Sequence, residues 1–150
     1  MIQVKDGKVV EVGPRSVHIA GLDYEVYSDP EDIVDPVLKL IRPLEDDPEY
    51  ACVECSNGRI FALSLSGAAN LAGYVTDKDY AIGNKEAAGK AWKPLAELAG
   101  LSVEDTAKLV LKLSADKNGA VVKSLMEDYS MDPRTTVLVG GGGGSACVLA

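Results

Sequence analysis

Apolar and polar residues alternate on both sides of Asp6-Gly7 in "IQVKDGKVVEVG". That dipeptide supplies the positive φ angles of a two-residue hairpin turn, so the pattern predicts strand, turn and strand. "SDPEDIVDPVLKLIRPLEDDPEY" opens with Ser28 and Pro30, carries Ile33, Val37, Leu38 and Ile41 at helical spacing, and breaks at Pro43. It predicts one short helix and an acidic loop. In "ACVECSNGRIFALSL" two apolar runs flank Asn57-Gly58, which predicts a second hairpin.

Helical periodicity dominates the rest. After a short helix and loop in "SGAANLAGYVTDKDYAIG", Asn84 is placed to cap a helix in which Ala88, Ala91, Trp92, Leu95 and Leu98 share one face. Gly100 ends that helix, and Pro94 is its expected kink. Ser102-Val103-Glu104-Asp105 has the form of a capping box, with Asp in place of the longer Glu. Behind it, Val103, Ala107, Val110, Val121, Val122, Leu125 and Met126 can face one way, in a helix running to about Tyr129 with Gly119 as its weak point. "MDPR" predicts a turn, because Pro133 biases Asp132 away from helix, and "TTVLV" predicts a short strand buried on both faces. Hairpins come first and helices follow, with no internal repeat and no interdomain linker. The prediction is one α/β unit over residues 1–150.

Composition narrows the function. Against 15 Lys and Arg stand 23 Asp and Glu, and the net charge of −8 repels phosphate backbones and anionic lipid. No apolar run approaches the roughly 20 residues that span a bilayer, and "MIQVKDGKVV" lacks the marks of a signal peptide. These features predict a cytoplasmic protein with neither nucleic acid nor membrane as partner. Three cysteines form an odd set that fits reduced thiols.

The glycine run in "TTVLVGGGGGSACVLA" has two readings. It is a spacer or plain structural turn, or it is a strand-to-helix turn. In the second case Gly140 to Gly144 expose backbone N–H groups, and a helix beginning near Ser145 adds its positive dipole end, which favours a nucleotide or another anion. Cys52 and Cys55 form a CxxC, but with no second pair and one histidine the chain cannot supply four ligands; on a strand the two face opposite ways. They read as ordinary hairpin residues, and no metal site is assigned. His18 lies beside Arg15 and Ser16, either as a group pointing into a cleft or as part of a hydrogen-bonded turn. Asp77 and Asp79 read as solvated loop acids in preference to a Mg²⁺ contact, and Asp132 with Arg134 as the pair that fixes the turn before "TTVLV".

The run "GLSVEDTAKLVLKLSADKNGAVVKSLMEDYSMDPRTTVLVGGGGGSACVLA" resembles the hydantoinase A and 5-oxoprolinase family in its capped long helix, D-P-R turn, short strand and glycine turn. "NLAGYVTDKDYAIG", "NKEAAGKAWKPLAELAG" and "VEVGPRSVHIAGLDY" are similar to further segments of that family. The resemblance covers residues 1–22 and 66–150, and residues 23–65 look like a branch-specific elaboration. Asn70 matches the asparagine of the family's D-A-N motif, while Ala68 stands where that motif has aspartate, so no acid-base or metal role carries over to that position.

The family is similar to the actin, heat-shock chaperone and sugar-kinase group, in which two α/β lobes close on ATP. The resemblance therefore implies a segment of an actin-like (ribonuclease H-like) ATPase lobe, with ATP and Mg²⁺ as cofactors of the full-length protein. It implies that Gly140, Gly141, Gly142, Gly143 and Ser145 line the adenosine side of the cleft, and that Arg15, Ser16, His18 and Asn70 border it. Implied partners are the remaining lobe of the parent protein, a hydantoinase B-like subunit and a small cyclic-amide substrate. The segment, cut from a larger protein, is expected to be inactive alone. The implied activity is ATP-dependent opening of a lactam or hydantoin ring; the alternatives are a non-catalytic ATPase switch that activates or reactivates a partner enzyme, and a plain scaffold.

Overall fold

A computed structural model describes residues 1–139. The first hairpin forms as its turn chemistry dictates. Asp6 and Gly7 take φ of 50° and 73°, and they close β1 (Ile2–Lys5) onto β2 (Lys8–Val12). Strand β3 (Asp23–Tyr24) and two single 3-10 turns, Glu25–Tyr27 and Pro30–Asp32, lead to β4 (Val37–Ile41). The second predicted hairpin is β5 (Tyr50–Glu54) and β6 (Ile60–Ala62), turning at Asn57-Gly58. Helices α1 (Leu65–Leu71), α2 (Lys85–Ala99) and α3 (Val103–Asp128) follow.

The strands form one sheet ordered β2-β1-β5-β6-β3, with β4 also paired to β5. All pairs are antiparallel except β3 with β6. Tyr50 to Val53 are completely buried, so β5 is covered on both faces. Strand alternation sends Ala51 and Val53, with Phe61 and Leu63, to the main core beneath the helices. Tyr50 and Ala62 go to a second cluster with Met1 and Val17, on the opposite face.

Three expectations fail for identifiable reasons. Ile33 to Ile41 is not a helix: Pro30, Pro36 and Pro43 punctuate the segment, and residues 37–41 instead pair along their whole length with β5. The apolar stripe of α3 is buried only at its start, where Ala107, Val110 and Leu111 join the core, while Val121 and Leu125 are about half exposed. A 26-residue helix is roughly 39 Å long and outruns strands of at most five residues, roughly 17 Å. "TTVLV" forms no strand: Thr135 belongs to the D-P-R turn, and Val137, Leu138 and Val139 are 81%, 59% and 84% exposed instead of buried. A strand needs a neighbour for its N–H and C=O groups, and no described strand lies beside this segment. The glycine turn and the helix expected after it lie outside the described residues.

The helix signals are accurate. Asn84 Oδ1 accepts from the Glu86 and Ala87 amides, each at 3.0 Å, and Gly100 closes α2 at φ 67°. The helix continues through Pro94, and only Leu98 of the expected face leaves the core. In α3 the short Asp105 cannot reach back to the Ser102 backbone; it accepts from the Ser102 hydroxyl at 2.6 Å, while that oxygen accepts from the Asp105 amide at 3.0 Å. Gly119 does not interrupt the helix.

Sheet and helices meet at one buried acid. Glu25, in the first 3-10 turn, is fully buried, and its Oε1 accepts from the Ser64 amide at 2.9 Å, the Ser64 hydroxyl at 3.1 Å and Trp92 Nε1 at 2.9 Å. Ser64 Oγ in turn accepts from the Gly67 amide at 3.0 Å, capping α1. A Cβ on Gly67 would come within 2.0 Å of Glu25 Oε1. Gly67→Ala is therefore expected to destabilise by about 2–3 kcal/mol, whereas Gly119→Ala, in an open helical position, is expected to stabilise by about 0.5–1 kcal/mol. Urea denaturation of the two variants beside the parent chain checks both signs.

Candidate functional site

The turn after β2 carries three of the predicted cleft residues. Arg15 Nε donates to both oxygens of Asp47, at 3.0 and 2.7 Å, and Asp47 Oδ2 also accepts from the Leu44 amide at 3.1 Å. The Arg15 hydrogen bond is the main cause holding the Asp47 carboxyl below its ordinary value, and the same pairing raises the Arg15 guanidinium. Ser16 Oγ accepts from the Ile19 amide at 3.3 Å, and the His18 carbonyl accepts from the Gly21 amide at 3.1 Å. The His18 side chain is exposed. Val17, between them, packs with Tyr50 and Ala62, so this turn covers the sheet face opposite the helices.

Asn70 lies on the helical side. It is buried in α1, where its Nδ2 donates to the Ser66 and Ala81 carbonyls at 2.9 and 3.0 Å, and its Oδ1 accepts from the Gly83 amide at 2.9 Å. Both amide protons and the carbonyl oxygen are thus engaged with backbone. Ala68 is fully buried in the main core. The structure therefore brings Arg15, Ser16 and His18 together on one turn and leaves Asn70 apart from them. The proposed adenosine contacts, Gly140 to Gly143 and Ser145, lie outside the described residues.

The remaining candidates are accounted for locally. Asp79 Oδ2 accepts from the Thr76 amide and hydroxyl, both at 2.8 Å, and these bonds lower its pKa. Arg134 donates to Asp132 through Nε at 3.0 Å and a terminal nitrogen at 2.8 Å, and its amide adds a third bond at 2.9 Å, which builds the D-P-R turn. Cys52 and Cys55 are both buried, and burial pushes the Cys52 thiol up to about 11 and raises Cys55. Neither is a ready nucleophile at neutral pH. Among the described residues no group of three or more His, Cys, Asp or Glu is arranged to hold a metal ion. None of the described helices is long and apolar enough to cross a membrane.

One concave surface stands out. An apolar groove of about 640 Å³ runs along the distal half of α3, where Val122 and Met126 face Met131 and Pro133. It continues into a second apolar hollow at Val137 and Leu138, immediately before Gly140. The signal for this surface was the apolar spacing of α3 itself, read as core. Glu25 gave no motif-level signal, since an acid near Asp23 in "LDYEVY" looks like a solvated one.

The Arg15–Asp47 pair has a defined pH signature. Asp47 has a folded pKa below its ordinary 3.8, so its contribution is fully present above that value and is lost as pH falls through the lower, folded pKa. Asp47→Asn is expected to lower stability at pH 7 and to show a shallower acid-side loss than the parent. Urea midpoints at pH 7 and pH 3 check this, with Arg15→Gln expected to be non-additive with Asp47→Asn.

Comparison with known proteins places the chain. No curated protein and no solved structure matches it. The family model described as Hydantoinase/oxoprolinase matches residues 1–150, running across residues 23–65 as well as the segments that carry the motifs. The chain belongs to the Hydantoinase/oxoprolinase family.

Proposed function

We propose that this chain is part of an ATP-dependent cyclic-amide hydrolase, in an actin-like ATPase lobe, and that it contributes the adenosine side of the nucleotide cleft. The observation that carries this reading is the family match over the whole chain, joined to the succession of α3, the D-P-R turn and the exposed Val137–Val139 segment that precedes Gly140 in the sequence. Backbone N–H groups of Gly140 to Gly143 and the Ser145 hydroxyl are a donor set suited to a nucleotide. Arg15, Ser16 and His18 are assigned to the border of the cleft. The Mg²⁺ of the complete protein is assigned to the nucleotide and the remaining lobe. Bound to the complete protein, ATP supplies the phosphoryl group that converts an amide oxygen into a leaving group. This chain's part is to bind and orient the nucleotide, by groups that are in place before charge develops.

Residues 23–65 are read as a branch-specific elaboration, a hydantoinase B-like subunit and the parent's other lobe as partners, and a small lactam or hydantoin as substrate. The cytoplasm is the proposed compartment. A second reading, a non-catalytic ATPase switch for a partner enzyme, is favoured by the buried, apolar Ala68 at the aspartate position of the D-A-N motif. ATP hydrolysis by the full-length protein with hydantoin, 5-oxoproline or no substrate tests the two. Substrate-stimulated turnover is expected for the hydrolase, while slow turnover indifferent to every cyclic amide would sink it and leave the switch.

A further inference from the structure

The loop between α1 and α2 has the composition of a flexible connector and the bonding of a fixed one. Its backbone folds back on α1 where the Tyr74 amide donates to the Ala69 carbonyl at 3.0 Å, and the Ile82 amide donates to the Asp79 carbonyl at 3.1 Å. Two side chains from different elements then converge on one acceptor. Asn70 Nδ2 donates to the Ala81 carbonyl at 3.0 Å from inside the core, and the Tyr27 hydroxyl donates to the same oxygen at 3.3 Å from the surface. Both lone pairs of that carbonyl are thereby used. The Gly83 amide donates to Asn70 Oδ1 at 2.9 Å, and the Asn84 amide donates to the Val26 carbonyl at 2.6 Å. The seat is too close for a side chain, since a Cβ on Gly83 would come within 2.5 Å of the Val26 carbonyl oxygen. Between these anchors the tip stands clear, with Asp77, Lys78 and Tyr80 all exposed.

We propose that residues 73–83 form a latched strap, locked to the fold by Asn70, and that Asn70 is a positioning residue for the exposed Asp77–Tyr80 tip and not itself a cleft ligand. The latch is asymmetric. Asn70 is buried and uses every polar atom, while Tyr27 is half exposed and makes one longer bond, so the buried amide carries the hold and the phenol trims it. The inference uses only described residues and stands whether or not the chain belongs to an ATP-dependent hydrolase.

Segment-resolved hydrogen–deuterium exchange on the protein tests it. In Asn70→Ala the amides of Ile82 and Gly83 are expected to exchange about thirtyfold faster, the equivalent of the two strap hydrogen bonds lost, while β5 and the centre of α2 keep their protection. Asn70→Asp keeps the size and the acceptor for the Gly83 amide but loses the donor to the Ser66 and Ala81 carbonyls, so it is expected to speed exchange at Ile82 while Gly83 keeps its protection. Tyr27→Phe, a surface change that leaves the core intact, is expected to accelerate the strap by about two- to threefold. If Asn70→Ala loses the fold, the Asp and Phe variants decide the matter. Unchanged strap exchange in these variants, or acceleration spread evenly through β5 and α2, would overturn the proposal.

Discussion

A single carboxyl oxygen ties this fold together. Glu25 Oε1 takes three donors from two other parts of the chain: the Ser64 amide and hydroxyl at the mouth of α1, and the indole nitrogen of Trp92 in the middle of α2. Because Ser64 also caps α1 through the Gly67 amide, the acid sets the entry of that helix as well as the position of the next. Trp92, fully buried at the same point, contributes on the order of 3 kcal/mol of apolar burial, but only if its N–H finds a partner, and Glu25 is that partner. Gly67 is required by the same geometry.

The second carboxyl oxygen explains the chemistry of the hub. Oε2 is buried with no hydrogen-bond partner, which an ionised carboxylate tolerates poorly. Burial is the leading cause raising the Glu25 pKa, with the Trp92 and Ser64 bonds acting against it. The consequence for stability has a definite sign. Below the ordinary value of 4.5 both folded and unfolded chains hold the proton; as pH rises above it the unfolded chain releases it first, and stability declines until the higher, folded pKa is passed. The hub is thus opposite in sense to the Arg15–Asp47 pair on the other sheet face, whose contribution is lost toward acid.

What the sequence made legible was local. Asp6-Gly7, Asn57-Gly58, Asn84, Gly100 and Ser102 announce their turns and caps because each is decided by backbone angles and short-range hydrogen bonds. Non-local facts were hidden. Val37 to Ile41 is too short a run for periodicity to tell strand from helix, and its pairing with β5 decides it. The distal apolar positions of α3 look like core in one dimension, but the sheet is too short to cover them. Asn70 was legible as a matched motif residue, yet the task it performs, holding Ala81 and Gly83, depends on a loop whose path no spacing encodes. Ala68 was legible as a departure, and it lies fully buried in the main core.

Family membership and fold meet at the end of α3, where the exposed apolar groove leads to the glycine run assigned to the nucleotide. The Glu25 hub joins the sheet to α1 and α2, and α3 packs against those two helices at its buried N-terminal half. The central claim is that Glu25 sits there as a buried acid whose pKa is raised by burial. Titration of its side-chain carboxyl carbon by NMR, in protein carrying carbon-13 glutamate and assigned by Glu25→Gln, measures this directly. The account predicts that the Glu25 carboxyl titrates with a midpoint above 4.5, its resonance keeping the protonated shift past that pH. A Glu25 midpoint at or below that value would contradict it.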